Sequence, residues 1–275
     1  MSIALERQRP HVLGSDLQRF WNLTWTLAAT DFKLRFYGSV LGYAWTLARP
    51  FLFFGVIYLV FSEIAGLDAN VENYGVYILF GLVLFQFFGE ATSGCVRCLA
   101  VRESLLRKMR FPRLVIPLSV VLTAIFNLAG TLAAALIFAI AAGVYPTWSW
   151  LELPVIIALV GLFATGVGLL LSALFVRYRD VAPIWEVASQ MLFYISPILY
   201  VTTLVPEQYR DAYLVNPLAV LLTEMRAAIV DPSAPHAWDL TGAGPLLASA
   251  AIVVVAVVLG VTVFSRQAPR IAEDL

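Results

Sequence analysis

Few side chains in this 275-residue sequence could carry chemistry, and their spacing narrows what it could be. Cys95 and Cys98 form one Cys-x-x-Cys pair. A structural zinc site needs a second pair or a nearby histidine, and neither stands close by, so two packing thiols are the plainer reading. No Gly-rich loop ending in Lys-Ser/Thr occurs, so the chain has no such cradle for ATP phosphates. Glu90, Glu186 and Arg49 interrupt apolar runs. Charges there face a polar cavity or a partner, and positioning is favoured over a proton relay because two isolated carboxylates make a poor relay. The run from Val101 to Arg113 sets Val101, Leu105 and Met109 at every fourth position among Arg102, Arg107, Lys108, Arg110 and Arg113, and Pro112 ends it. Such a stripe on a cytoplasmic segment needs a groove on something else. Topology alone would explain its arginines, and nothing here resembles a nucleic-acid fold.

The elements that must position these residues follow from composition. Hydrophobic residues make up 61% of the chain and charged ones 13%, with a mean hydropathy of +0.85. A soluble domain carries about 25% charged residues, so the composition excludes intrinsic disorder and argues against a soluble enzyme. Six runs reach the length of a spanning helix: 38–61, 74–94, 114–145, 153–176, 182–200 and 245–264. The third is long enough to tilt or to start along the interface. Gly38 and Gly42 give a GxxxG spacing at the mouth of the first.

Basic residues set the orientation. Arg7, Arg9, Arg19, Lys33 and Arg35 precede the first span, six more lie between Arg97 and Arg113, and Arg177, Arg179, Arg266 and Arg270 follow on the same side. The opposite loops hold only Arg210 and Arg226 among nine acidic residues. Both termini are therefore expected in the cytoplasm, with no removable signal peptide. His11 and His236 then fall on opposite sides and cannot share a metal. Residues 15–32 read as an amphipathic surface helix, with Ser15 and Gln18 as a capping box and Leu17, Phe20, Trp21, Leu27 and Ala28 on one face. Pro217 opens a helical run too short to cross, so residues 201–243 are expected to form external re-entrant or interfacial helices.

Taken in order, several segments resemble the permease subunits of ABC-2 type polysaccharide exporters, the family that exports O-antigen, teichoic acid and galactan. They are RFYGSVLGYAW from Arg35 to Trp45 with Pro50, LLRKMRFPR from Leu105 to Arg113, IPLS from Ile116, RYRDV from Arg177, SPILY from Ser196, and NPL from Asn216 with Arg226. The resemblance covers nearly the whole chain. It implies an all-α polytopic membrane protein of six transmembrane helices in the bacterial cytoplasmic (inner) membrane. Residues 1–37 would hold the interface helix, 38–266 the transmembrane domain, and 267–275 a cytoplasmic tail. A coupling helix would lie at about 98–112 and external gate helices at about 204–231.

The resemblance also implies partners and roles. Two copies of the chain would join two copies of a nucleotide-binding ATPase, which would bind ATP and Mg, so this chain would hold no cofactor and no catalytic or metal residue. Leu105, Leu106, Arg107, Lys108, Met109, Arg110 and Phe111 would dock on that ATPase. The cargo would be a polyprenyl-diphosphate-linked glycan. Arg35, Tyr37 and Arg49 would form its cytoplasmic entrance, since a diphosphate needs cations. Ser196, Pro197, Asn216 and Pro217 would belong to the external gate. Sugar faces stack on rings, which makes Tyr43, Trp45, Phe85, Phe87, Phe88, Tyr194 and Tyr200 candidates for the path; lipid-facing or core aromatics remain the other reading for about half of them. Two alternatives compete: an ABC-2 drug or lipid efflux permease, and a polytopic enzyme on polyprenyl-linked sugars, which would need an acidic cluster that the sequence lacks.

Overall fold

The computed structural model describes residues 17–37, 42–64, 66, 71–108 and 112–268, and every regular element among them is helical. The helices are α1 (Leu17–Phe36), α2 (Ala44–Tyr58), α3 (Tyr74–Val96), α4 (Cys98–Val101), α5 (Glu103–Lys108), α6 (Val115–Ala141), α7 (Leu153–Arg177), α8 (Val181–Ile195), α9 (Glu207–Tyr213), α10 (Pro217–Met225), α11 (Ala237–Leu240) and α12 (Ala243–Gln267). Short π segments extend α2 through Leu59–Ile64 and α10 through Arg226–Val230. Ser15, His11 and Gly38 lie outside the described residues, as do residues 269–275 of the expected tail.

Five helical stretches are long and apolar enough to cross a membrane: Ala44–Ile64, Tyr74–Val96, Val115–Ala141, Trp148–Arg177 and Ala243–Gln267. They match five of the six expected spans. The run at 182–200 does not become one long helix. α8 has 15 residues, about 22 Å of rise against a hydrocarbon core of about 30 Å. It stops because Pro197 forces the residue before it out of the α region, and Ser196 is extended at φ −84°, ψ 149°. Residues 207–230, where external helices are expected, form a pair bent by 108° between α9 and α10.

α3 is the central helix. It is buried on nearly every side, with α6 and α7 against it and α12 beyond α7. Gly143, at φ 90°, ends α6: the Val144 N–H reaches back to the Ala139 carbonyl at 2.9 Å, and an L side chain would strain that turn. The α7–α12 crossing is close because Gly166 faces Gly260. Beyond the end of α8, Ser196–Leu199 passes as a buried strap between α3 and α10, with Tyr200 half-buried after it. Tyr74 donates to the Leu199 carbonyl at 2.6 Å, and Tyr77 donates to the carbonyls of Pro197 and, at 2.7 Å, Tyr200. These bonds replace the helical partners that the strap lacks.

α1 packs through Phe20, Thr24 and Ala28, one residue per turn. This corrects the expected face, since Leu17 and Trp21 point away from the protein at 62% and 54% exposure. Small Ala28 and self-satisfied Thr24, whose hydroxyl bonds the Phe20 carbonyl at 2.9 Å, let α1 lie close on α6. Trp25 and Phe32 then close on Phe126, with ring centroids 5.0 and 5.9 Å away.

Candidate functional site

Three helices each present one stripe to a common cavity of about 1050 Å³. From α2 come Trp45, Thr46, Arg49 and Phe53; from α3, Phe85, Gln86, Gly89, Glu90 and Ser93; from α8, Trp185, Glu186, Ser189, Gln190, Phe193 and Tyr194. Within each helix these residues, singly or as adjacent pairs, recur every three or four positions, which is one face. Arg35 at the end of α1 and Arg97 at the end of α3 complete the rim. The wall alternates rings with amides and hydroxyls. Phe193 joins Phe53 and Phe85 at centroid distances of 6.4 and 5.2 Å. The Trp185 indole N–H is buried and meets no protein acceptor among the described residues.

At the rim, Arg35 donates to the Glu90 carboxylate, and the Asn127 amide from α6 donates to the same oxygen at 2.6 Å. Arg35 retains 48% side-chain exposure, so its charge is both paired and accessible. The charged lining carries a small positive excess, with Arg35, Arg49 and Arg97 against Glu90 and Glu186. The chemistry of this lining suits an anion near the arginines and an amphipathic molecule with stacking faces and hydroxyls along the wall.

The structure sorts the residues named from sequence. Arg35, Arg49, Trp45, Phe85 and Tyr194 line the cavity, and Glu90 and Glu186 join them. Tyr37 is 88% exposed and is not among the lining residues. Four aromatics lie elsewhere. Tyr43 folds over Gly130 of α6 and against Phe32, and Phe87 meets Gly161 of α7. Phe88 stacks on Phe163 at 5.2 Å. Tyr200 caps the end of α8, its hydroxyl 3.1 Å from the Tyr194 carbonyl. Helical phase explains the split on α3, since Phe87 and Phe88 fall on the face turned to α7. Sequence reading missed Gln86, Ser189, Gln190 and Trp185, although the three-to-four spacing of α8 was there to be read.

Among the proposed docking residues, Leu106 is buried at 8% exposure in a cluster of its own chain, with Phe20, Leu99, Ile116, Val176 and Phe264. One expected docking side chain of α5 therefore packs inward, beside Leu105 of the stripe, because the short helix has α1, α6, α7 and α12 beneath it. Leu105 is half-buried, and Val101, one helical turn before it, is 78% exposed. Arg107 and Lys108 end α5, while Met109, Arg110 and Phe111 lie outside the described residues. Ser196 is fully buried and receives a 3.2 Å hydrogen bond from Asn216, whose Oδ1 caps α10 at the Leu218 N–H, 3.1 Å away; Pro217 opens that helix. Cys95 and Cys98 are free and buried. Glu224 bonds both His236 Nδ1 and the Ala237 N–H, at 2.7 and 2.8 Å.

Residues 22–230, well over half the chain, match the family model described as ABC-2 type transporter. The chain belongs to the ABC-2 type transporter family. An ABC-2 transporter subunit is a multi-pass membrane protein that works with an ATPase and is not itself an enzyme. The chain is 29% identical over 265 residues to an O-antigen export system permease protein, RfbA, of Myxococcus xanthus, covering 96% of this chain and 99% of that protein. It is 27% identical over 265 residues to a protein of the same description from Klebsiella pneumoniae, covering 94% and 97%.

Proposed function

We propose that this ABC-2 transporter subunit is the permease of an exporter for a polyprenyl-diphosphate-linked cell-envelope polysaccharide. Two copies work with two ATPase subunits, which bind the ATP and Mg, in the bacterial cytoplasmic membrane with both termini in the cytoplasm. The observation that carries the reading is the cavity, whose arginine-rimmed mouth suits a diphosphate and whose wall of rings, amides and hydroxyls suits sugars. Arg35 and Arg49 hold the anion at the entrance. Trp45, Phe85 and Tyr194 offer stacking faces. The relatives described as O-antigen export permeases support the same cargo class.

Reconstitution with the ATPase in proteoliposomes tests this. ATP-dependent appearance of lipid-linked glycan on the far side is expected, with loss in Trp45→Ala and Tyr194→Ala. Transport of a hydrophobic drug or of phospholipid, with no effect of added glycolipid, would overturn the cargo.

A further inference from the structure

α1 carries two ion pairs one turn apart, and they lead to different parts of the protein. Arg35 pairs with Glu90 in the cavity wall. Asp31, at i−4 on the same face, pairs with Arg102. Arg102 is the non-helical residue between α4 and α5, at φ −106° and ψ 24°, the joint at the base of the cytoplasmic helix. It also donates to Ser119 of α6 at 3.0 Å, and Ser119 is fully buried. The Asp31–Arg102 pair is itself mostly buried, with side-chain exposures of 31% and 17%, so neither charge can be released cheaply to water.

The rest of α1 is held differently. Its first half is anchored by the apolar stripe Phe20, Thr24 and Ala28, and its last turn and a half by the two ion pairs together with Phe32 on Phe126. A helix is stiff over one turn. A shift of the helix end at Arg35 is therefore shared by Asp31, which lies one turn away and holds the Arg102 joint.

We infer that α1 is the relay between cargo and ATPase, with Asp31 and Arg102 as its positioning residues. An anionic head group at the cavity mouth competes with Glu90 for Arg35. Its arrival shifts the end of α1, and the Asp31–Arg102 pair carries that shift into α4–α5. Neither Asp31 nor Arg102 touches the cargo. The inference rests on the export reading above, because it needs a cargo with a phosphate and an ATPase to receive the signal.

The test uses the full complex of this chain and its ATPase in nanodiscs, with undecaprenyl diphosphate as probe and undecaprenol as the uncharged control. Wild type is expected to hydrolyse ATP faster with the diphosphate and not with the alcohol. Asp31→Asn should assemble normally and keep basal hydrolysis, while the ratio of stimulated to basal rate falls to unity. The exchange Asp31→Arg with Arg102→Asp should restore stimulation. Glu90→Gln, which frees Arg35 without cargo, should raise the basal rate, and adding Asp31→Asn to it should abolish that rise. Stimulation that survives Asp31→Asn, or a Glu90→Gln rise that persists in the double variant, overturns the relay. Parallel loss of assembly and both rates that the charge exchange does not repair makes the pair a structural brace only. A wild-type complex indifferent to the diphosphate but competent in ATP hydrolysis removes the phosphate-bearing cargo itself, a failure distinct from that of the relay.

Discussion

Gly260→Ala tests the crossing that fixes α12 against α7. A Cβ built on Gly260 would sit 2.2 Å from the Gly166 carbonyl oxygen, 3.0 Å from its carbon and 3.3 Å from its Cα. A Cβ on Gly166 would meet Val257 N at 2.6 Å and Ala256 C at 2.7 Å. All of these atoms are backbone, so no rotamer change relieves them. The helices must part by about 1 Å to restore van der Waals contact, a gap that forfeits a quarter to a half of each dispersion well along the crossing. Overpacking of this kind costs about 1–3 kcal/mol, which lowers the melting temperature in detergent by about 2–12 °C for a chain of this size. Gly89→Ala is the matched control. It too lies in a spanning helix, but its Cβ would meet nothing within 4 Å, so its melting temperature should stay at or slightly above wild type. Gly166→Ala combined with Gly260→Ala should cost less than the sum of the two, since both spread one contact. A Gly260→Ala protein that melts with wild type and with Gly89→Ala would refute the close crossing.

Tyr77→Phe strips the donor from the buried carbonyls of Pro197 and Tyr200, at about 1–3 kcal/mol, and should speed proteolysis or hydrogen exchange of the strap at 196–204 while leaving α3 intact. Leu106→Asp places a carboxylate in the cluster beside Phe20 and Phe264, so it should lower the yield and thermal stability of the chain expressed without its ATPase; unchanged stability with lost ATPase binding would return Leu106 to the docking surface. The hydrogen bond that His236 donates to the Glu224 carboxylate raises its pKa above the usual 6.5, against desolvation and with help from the charges of Glu224, Glu152 and Asp239. A raised folded pKa means that this stabilisation is fully present below pH 6.5 and is lost as pH rises through the folded value. Protection factors in α10 and α11, corrected for the intrinsic exchange rate, should therefore fall over that interval, and His236→Asn should flatten the change.

The spans were legible because a bilayer makes a simple demand: about 20 apolar residues, with basic residues gathered at one side. Runs at 74–94, 153–176 and 245–264 meet it, and their helices stand where composition places them. α8 shows the limit. Its apolar average concealed a face of Glu186, Ser189 and Gln190, and Pro197 ended a helix that hydropathy alone would continue. Leu106 shows another, since an apolar side chain on a short segment does not say whether its groove belongs to a partner or to its own chain.

The cavity divides in the same way. Arg35, Arg49, Glu90 and Trp45 stood out by type and position, because a charge or ring at the end of an apolar run needs a reason to be there. Which aromatics join them was a matter of helical phase and of neighbours. Phe85 and Phe87 are two residues apart and so on opposite sides of α3, and only the packing of α7 against one side turns Phe87 inward. The partners of Arg35 and Asp31 lie 55 and 71 positions away along the chain. Residue type and local period alone determined the helices, their number to within the broken one, and the charges that interrupt them. The tertiary structure decided which faces meet, because contacts at such separations are set by how the helices pack and leave no mark in any local pattern.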